Sequence, residues 1–232
     1  MTDSSESKVV LEGGASVTTT VYRALSNGPS AALILAHGAG AGHGSPFMVE
    51  FARALAERGV DTVTFNFLYS ERGRRMPDRR PALEACYRAV IMAVVREVES
   101  ASRFLCIGGK SMGGRIATHL AAPDTGLPVD GVVLLGYPLH PPGRPEQRRD
   151  AHLSAVARPM LFVQGSRDTF GTPAELEPVL ARVSPRPELH IVERGDHSFK
   201  VRKSGRDQLA ATYAEIQDAI VAWMQRFMSE RE

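Results

Sequence analysis

A chain of 232 residues with 43% hydrophobic and 23% charged residues has a globular balance, which excludes a disordered or membrane-embedded chain. No apolar run approaches the roughly 18 residues of a membrane span. The polar N-terminus lacks the basic start and apolar stretch of a secretory signal. The formal net charge of +2 gives no sign of a nucleic-acid partner. The expectation is a cytoplasmic protein with neither membrane nor nucleic-acid partners. It is read as one domain over residues 1–232, with residues 1–6 as a loose tail.

Residues 7–13 and 16–25, with Gly13-Gly14 between them, read as a β-hairpin. The apolar run 31–37 reads as a strand ending in the turn His37-Gly38-Ala39-Gly40. A helix follows, with Ser45 as N-cap, Pro46 at its first position, Phe47, Phe51, Ala54 and Leu55 at helical spacing, and Gly59 at its close. Residues 60–67 are the next strand. The loop 71–81 then carries five arginines.

A long helix is predicted from near Pro81, with Leu83, Cys86, Tyr87, Val90 and Val94 on one stripe. A buried-type strand at 103–109 leads directly into another helix, and strands follow at 130–138 and 158–165. Thr172 and Glu175 fit a capping box at a helix start. The last strand spans 188–193. A C-terminal helix carries Leu209, Tyr213, Ile216, Ile220, Trp223 and Phe227. Cys86 and Cys106 sit in apolar segments and read as buried free thiols, and no Cys/His spacing resembles a metal site. Strand–helix alternation at this rhythm predicts an α/β fold with a mostly parallel sheet covered on both faces.

In such sheets ligands bind at the carboxyl ends of the strands. Ser111 lies there, in Gly109-Lys110-Ser111-Met112-Gly113, between a strand and a helix. A serine exposed on so tight a turn needs small residues two before and two after it, and this is the G-x-S-x-G pattern. A serine hydroxyl needs a base. Of seven histidines, His197 is the best placed, in the loop after the last strand. The base needs an acid to fix its tautomer, and Asp168, after the strand 158–165, supplies the chain order Ser, Asp, His. Asp196 competes for that role, but adjacent side chains point in different directions. For an oxyanion, the Met112 N–H at the helix start and the Ala39 N–H in the glycine turn are the candidate donors. That turn could also be a flexible loop, and it lacks the Lys-Ser/Thr ending of a P-loop.

With HGAGAG, GKSMGG, GSRD and GDHSF in this order, the chain resembles the α/β-hydrolase superfamily over nearly its whole length. The segment FNFLYSERGRRMPDR resembles, more narrowly, the bacterial dienelactone-hydrolase-like group related to the KANL3/Tex30 proteins, with Leu68 where that group has Pro. The resemblance implies an eight-stranded α/β-hydrolase sheet with only the second strand antiparallel, and a Ser111–His197–Asp168 triad. The short Pro-rich segment 137–158 implies no large cap.

The expected activity is hydrolysis of a small-molecule ester or thioester through an acyl-enzyme, with no cofactor and no metal. An interaction module on the same fold and an acyltransferase using the same triad are the alternatives. Arg72, Arg74 and Arg75 are candidate contacts for an anionic substrate, and Tyr137 is a further candidate substrate contact.

Overall fold

The computed structural model describes residues 3–25, 31–122, 126–201 and 205–229. Its eight strands are β1 (Ser4–Val10), β2 (Ser16–Tyr22), β3 (Ala31–Ala36), β4 (Val60–Phe65), β5 (Leu105–Lys110), β6 (Gly131–Leu135), β7 (Met160–Gly165) and β8 (Glu188–Val192). They form one sheet in the order β1-β2-β4-β3-β5-β6-β7-β8. β2 runs antiparallel to both of its neighbours, and every other pair is parallel. This is the α/β-hydrolase sheet.

β3 and β6, inside the sheet, are wholly apolar because both of their faces are covered. Along β3, Ala32, Ile34 and Ala36 enter one core, while Ala31, Leu33 and Leu35 enter the other. That is the period-two alternation of a pleated strand. The helices α1 (Pro46–Glu57) and α6 (Arg206–Ser229) cover the second face. The first face is covered by α3 (Arg80–Glu97), α4 (Met112–Ala121) and α5 (Pro173–Leu180). α5 opens on the anticipated Thr172/Glu175 capping box. Ser45 occupies the N-cap position of α1 without a side-chain hydrogen bond. Both cysteines are buried and free. A one-turn helix, α2 (Leu68–Glu71), was not anticipated.

One boundary differs from expectation. Residues 4–6, read as part of a loose tail, pair in β1, with Ser4 opposite Tyr22 and Glu6 opposite Thr20. Ladder hydrogen bonds come from the backbone, so polar side chains do not prevent an edge strand from pairing when they face solvent. All of β1 but Val9 is exposed in this way.

The chain between β6 and β7 carries only one turn of 3-10 helix, Leu153–Ala155, so no cap domain covers the carboxyl edge of the sheet. Among the described residues no helix is long and apolar enough to cross a membrane.

Candidate active site

Ser111 links β5 to α4 with φ 52° and ψ −112°, a conformation that L-residues avoid. The glycines around it are required sterically. A Cβ on Gly109 would lie 2.2 Å from the Ala36 carbonyl oxygen, and one on Gly113 would lie 2.3 Å from the same atom. β3 therefore packs directly against the turn, and the turn holds Ser111 at the sheet edge. Met112 begins α4, so its N–H is one of the helix-start donors that lack an intrahelical acceptor.

Two other strand ends meet this serine. His197 Nε2 lies 2.9 Å from Ser111 Oγ, and His197 Nδ1 lies 2.7 Å from Asp168 Oδ2. A carboxylate only accepts, so Nδ1–H donates to Asp168 and Nε2 is left to accept from the serine hydroxyl. Asp168 is 1% exposed. Its Oδ1 accepts the Phe170 N–H at 2.8 Å, and its Oδ2 also accepts from Gln164 Nε2 at 2.8 Å. Asp196, the competing acid, instead accepts the N–H groups of Ser198 and Lys200 and shapes the turn that presents His197.

Two aromatic or basic groups hold the imidazole from outside. The Phe170 ring stacks on it with centroids 4.2 Å apart. Lys110 Nζ donates to the His197 carbonyl oxygen at 2.5 Å and lies 5.3 Å from the centre of the Phe199 ring. Burial pulls the Lys110 ammonium down to a pKa of about 8, against the opposing pull of Asp168 and Asp196.

The glycine turn after β3 is braced from several sides. His37 is fully buried; its Nδ1–H donates to the Gly38 carbonyl at 2.8 Å, and its Nε2 accepts the Phe67 N–H at 3.2 Å. Burial lowers its pKa to about 4, so it stays neutral and keeps both bonds. Asn66 Oδ1 accepts the His43 N–H at 3.0 Å, and Ser70 Oγ donates to the Ala41 carbonyl at 3.1 Å. Asn66 in turn donates to Glu71, whose carboxylate also receives the Thr18 N–H, the Thr18 hydroxyl and Lys8. The segment Asn66–Glu71 thus clamps the turn that carries Ala39. Asn66 and Ser70, single polar residues in an aromatic-rich segment, carry no sequence signal for this role.

A cleft of about 850 Å³ opens over these groups, and Ala39, Ser111, Met112 and His197 line it. Arg72, Arg74 and Arg75 do not. Just beyond α2 the chain turns at Gly73 with φ 69°, the Arg74 N–H bonds back to the Tyr69 carbonyl, and all three arginines face solvent. Arg74 is further held by Asp78 at 2.6 Å. Tyr137 is also outside the cleft: it is 1% exposed, and its hydroxyl donates to the Arg149 carbonyl at 2.6 Å. From the same arginine-rich segment only Arg80, at the start of α3, lines the cleft, and Arg115 and Arg149 join it from elsewhere in the chain. Arg115 was visible as the residue four beyond Ser111 on a helix. Arg149 lies in an aperiodic Pro-rich segment and left no signal.

A family model described as an alpha/beta hydrolase domain matches residues 29–225. Solved structures of similar shape include an alpha-beta serine hydrolase homologue from Coxiella burnetii, 19% identical, with a TM-score of 0.74 over 96% of this chain and 97% of the other. A serine hydrolase without lid from Xanthomonas campestris is 21% identical, with a TM-score of 0.73 over 97% and 96%. A dienelactone hydrolase from Anabaena variabilis is 20% identical, with a TM-score of 0.72 over 94% and 96%. At these identities the likeness concerns the fold.

Proposed function

We propose that this chain, which belongs to the alpha/beta hydrolase domain family, cleaves a small ester or thioester through an acyl-enzyme on Ser111. The observation that carries the reading is the unbroken hydrogen-bond relay Ser111–His197–Asp168 on the wall of an open cleft. His197 Nε2 takes the hydroxyl proton as Ser111 Oγ bonds to the substrate carbonyl carbon. Asp168 holds the ring tautomer and stabilises the imidazolium that forms. The carbonyl oxygen becomes an oxyanion held by the N–H groups of Met112 and Ala39. His197 then gives its proton to the departing alcohol or thiol. Water, deprotonated by the same nitrogen, releases the acid and restores the serine.

Residues 1–232 are read as one α/β-hydrolase unit, and its narrower kinship with the KANL3/Tex30-related group rests on the segment 65–79. The test is turnover of 4-nitrophenyl acetate together with labelling by a fluorophosphonate probe. Both are expected in the parent protein and absent in Ser111→Ala. Persistence of either in that variant would overturn the reading.

A further inference from the structure

We infer that Arg115 and Arg149 form an anion subsite that takes a carboxylate a few bonds from the scissile carbonyl of the substrate. The inference rests on Ser111 being the nucleophile.

Arg115 follows Ser111 by four positions, and its N–H donates to the Ser111 carbonyl at 3.1 Å. Positions i and i+4 share a helix face, about 6 Å apart along the axis. The Arg115 side chain thus leaves α4 about one turn beyond Ser111, and both residues line the same cleft. Arg149 lines it too, and its charge acts on Arg115.

Among the described residues, Arg115 and Arg149 form no ion pair with a carboxylate, whereas Arg74 pairs with Asp78, Arg80 with Glu84 and Arg148 with Asp150. The cleft's own carboxylates are engaged or placed elsewhere. Asp78 is taken by Arg74, and Glu50 stands on α1, where its charge acts on Tyr213. Arg115 Nε is buried without a hydrogen-bond partner. A buried, unsatisfied donor on a cation is costly, and an arriving anion removes that cost.

The surroundings register the unbalanced charge. His119 and His152 stack with ring centroids 3.6 Å apart. Their pKa values fall to about 3 and about 4, through burial first and then through neighbouring charges that include Arg115 and Arg80.

The geometry selects among anions. A planar guanidinium fork matches a carboxylate with two parallel hydrogen bonds. One helical turn is too short to reach the phosphates of a CoA thioester, which the pantetheine arm keeps many bonds from the carbonyl. The anion therefore belongs to the ester itself, as in a half-ester of a short dicarboxylic acid.

The experiment uses glutarate as the probe. Glutarate is expected to inhibit 4-nitrophenyl acetate turnover competitively, with an inhibition constant about tenfold or more higher in Arg115→Gln and in Arg149→Gln. Arg115→Lys, which keeps the charge without the fork, is expected to fall between. Calorimetric titration of glutarate follows the same binding without turnover. Loss of glutarate binding in both Gln variants supports the subsite even if no ester is cleaved and Ser111 goes unlabelled, the outcome in which only the hydrolase reading fails. Glutarate affinity equal in the parent and both Gln variants, or no glutarate binding by an active parent, overturns the subsite alone.

Discussion

Gln164 Nε2 donates to Asp168 Oδ2 over 2.8 Å, and that oxygen is also the one facing His197 Nδ1. Gln164 is itself fully buried near the end of β7, donating to the Gly171 carbonyl at 2.7 Å and accepting the Tyr137 N–H at 2.8 Å. The orientation of the carboxylate is therefore fixed from within the sheet. Gln164→Leu is expected to lower kcat about tenfold or more, with KM for 4-nitrophenyl acetate little changed. It should also destabilise the fold by about 1–3 kcal/mol, because the Tyr137 N–H loses its acceptor. Steady-state kinetics and thermal melts check both, and an unchanged kcat would mean that the Phe170 N–H alone suffices to place Asp168.

Ser111 sits in a strained positive-φ conformation, which its proposed role as nucleophile would justify. Ser111→Gly is expected to raise stability by about 1 kcal/mol while abolishing ester turnover, since glycine adopts a positive φ without a Cβ penalty. Urea denaturation midpoints of the two proteins provide the measure. A destabilised Ser111→Gly would mean that the turn relaxes around the serine.

Gly113→Ala places a Cβ 2.3 Å from the Ala36 carbonyl oxygen, where the obstruction is backbone rather than a movable side chain. The expected cost is about 3 kcal/mol or more, with loss of ester turnover as α4 shifts away from β3. Gly44→Ala is the control, because nothing lies within 4 Å of a Cβ there. Soluble yield, melting temperature and initial rate should separate the two variants clearly.

Acid should destabilise the protein early. His37 and His152 have pKa values near 4 and His119 near 3, all lowered mainly by burial. Unfolded histidines titrate near 6.5, so below that pH the unfolded chain takes up protons that the folded chain refuses. Stability is full above about pH 6.5 and declines as the pH falls toward 4 and then 3. Glu71 extends the loss: against the cost of its burial, bonds from Lys8, Asn66 and Thr18 hold its pKa at about 2. Its contribution is present above the ordinary carboxylate range and disappears as the pH falls through about 2. Melting temperatures measured across this range should decline, less steeply in His37→Gln than in the parent.

The strand ends were legible because their chemistry depends on local sequence. Gly109 and Gly113 announce a turn that tolerates no side chain, and Ser111, Asp168 and His197 each lie just after a strand whose apolar run is visible. Apolar periodicity likewise gave all eight strands to within a few residues. The basic contacts were not legible in the same way. Five arginines in 71–81 suggested charge at the cleft, and Arg80 among them does line it, but chain density does not encode which of them point there. α2 and Gly73 turn Arg72, Arg74 and Arg75 outward, while Arg115 and Arg149, each scattered singly, are brought to the cleft by the fold. Gln164 escaped notice because one amide in a strand reads as a surface residue until both sheet faces are known to be covered.

The carboxylate of Glu71 gives the outer edge of the molecule a hold on its centre. Lys8 on β1 and Thr18 on β2 grip Glu71, Glu71 grips Asn66, and Asn66 grips the turn that carries Ala39. A protease that removed the first strand would leave the Ser111, His197 and Asp168 contacts in place, yet it would slacken the Ala39 N–H proposed to meet the oxyanion. The terminal hairpin is in this sense a tensioning strap, and its loss would register as slower acylation before any change in substrate affinity.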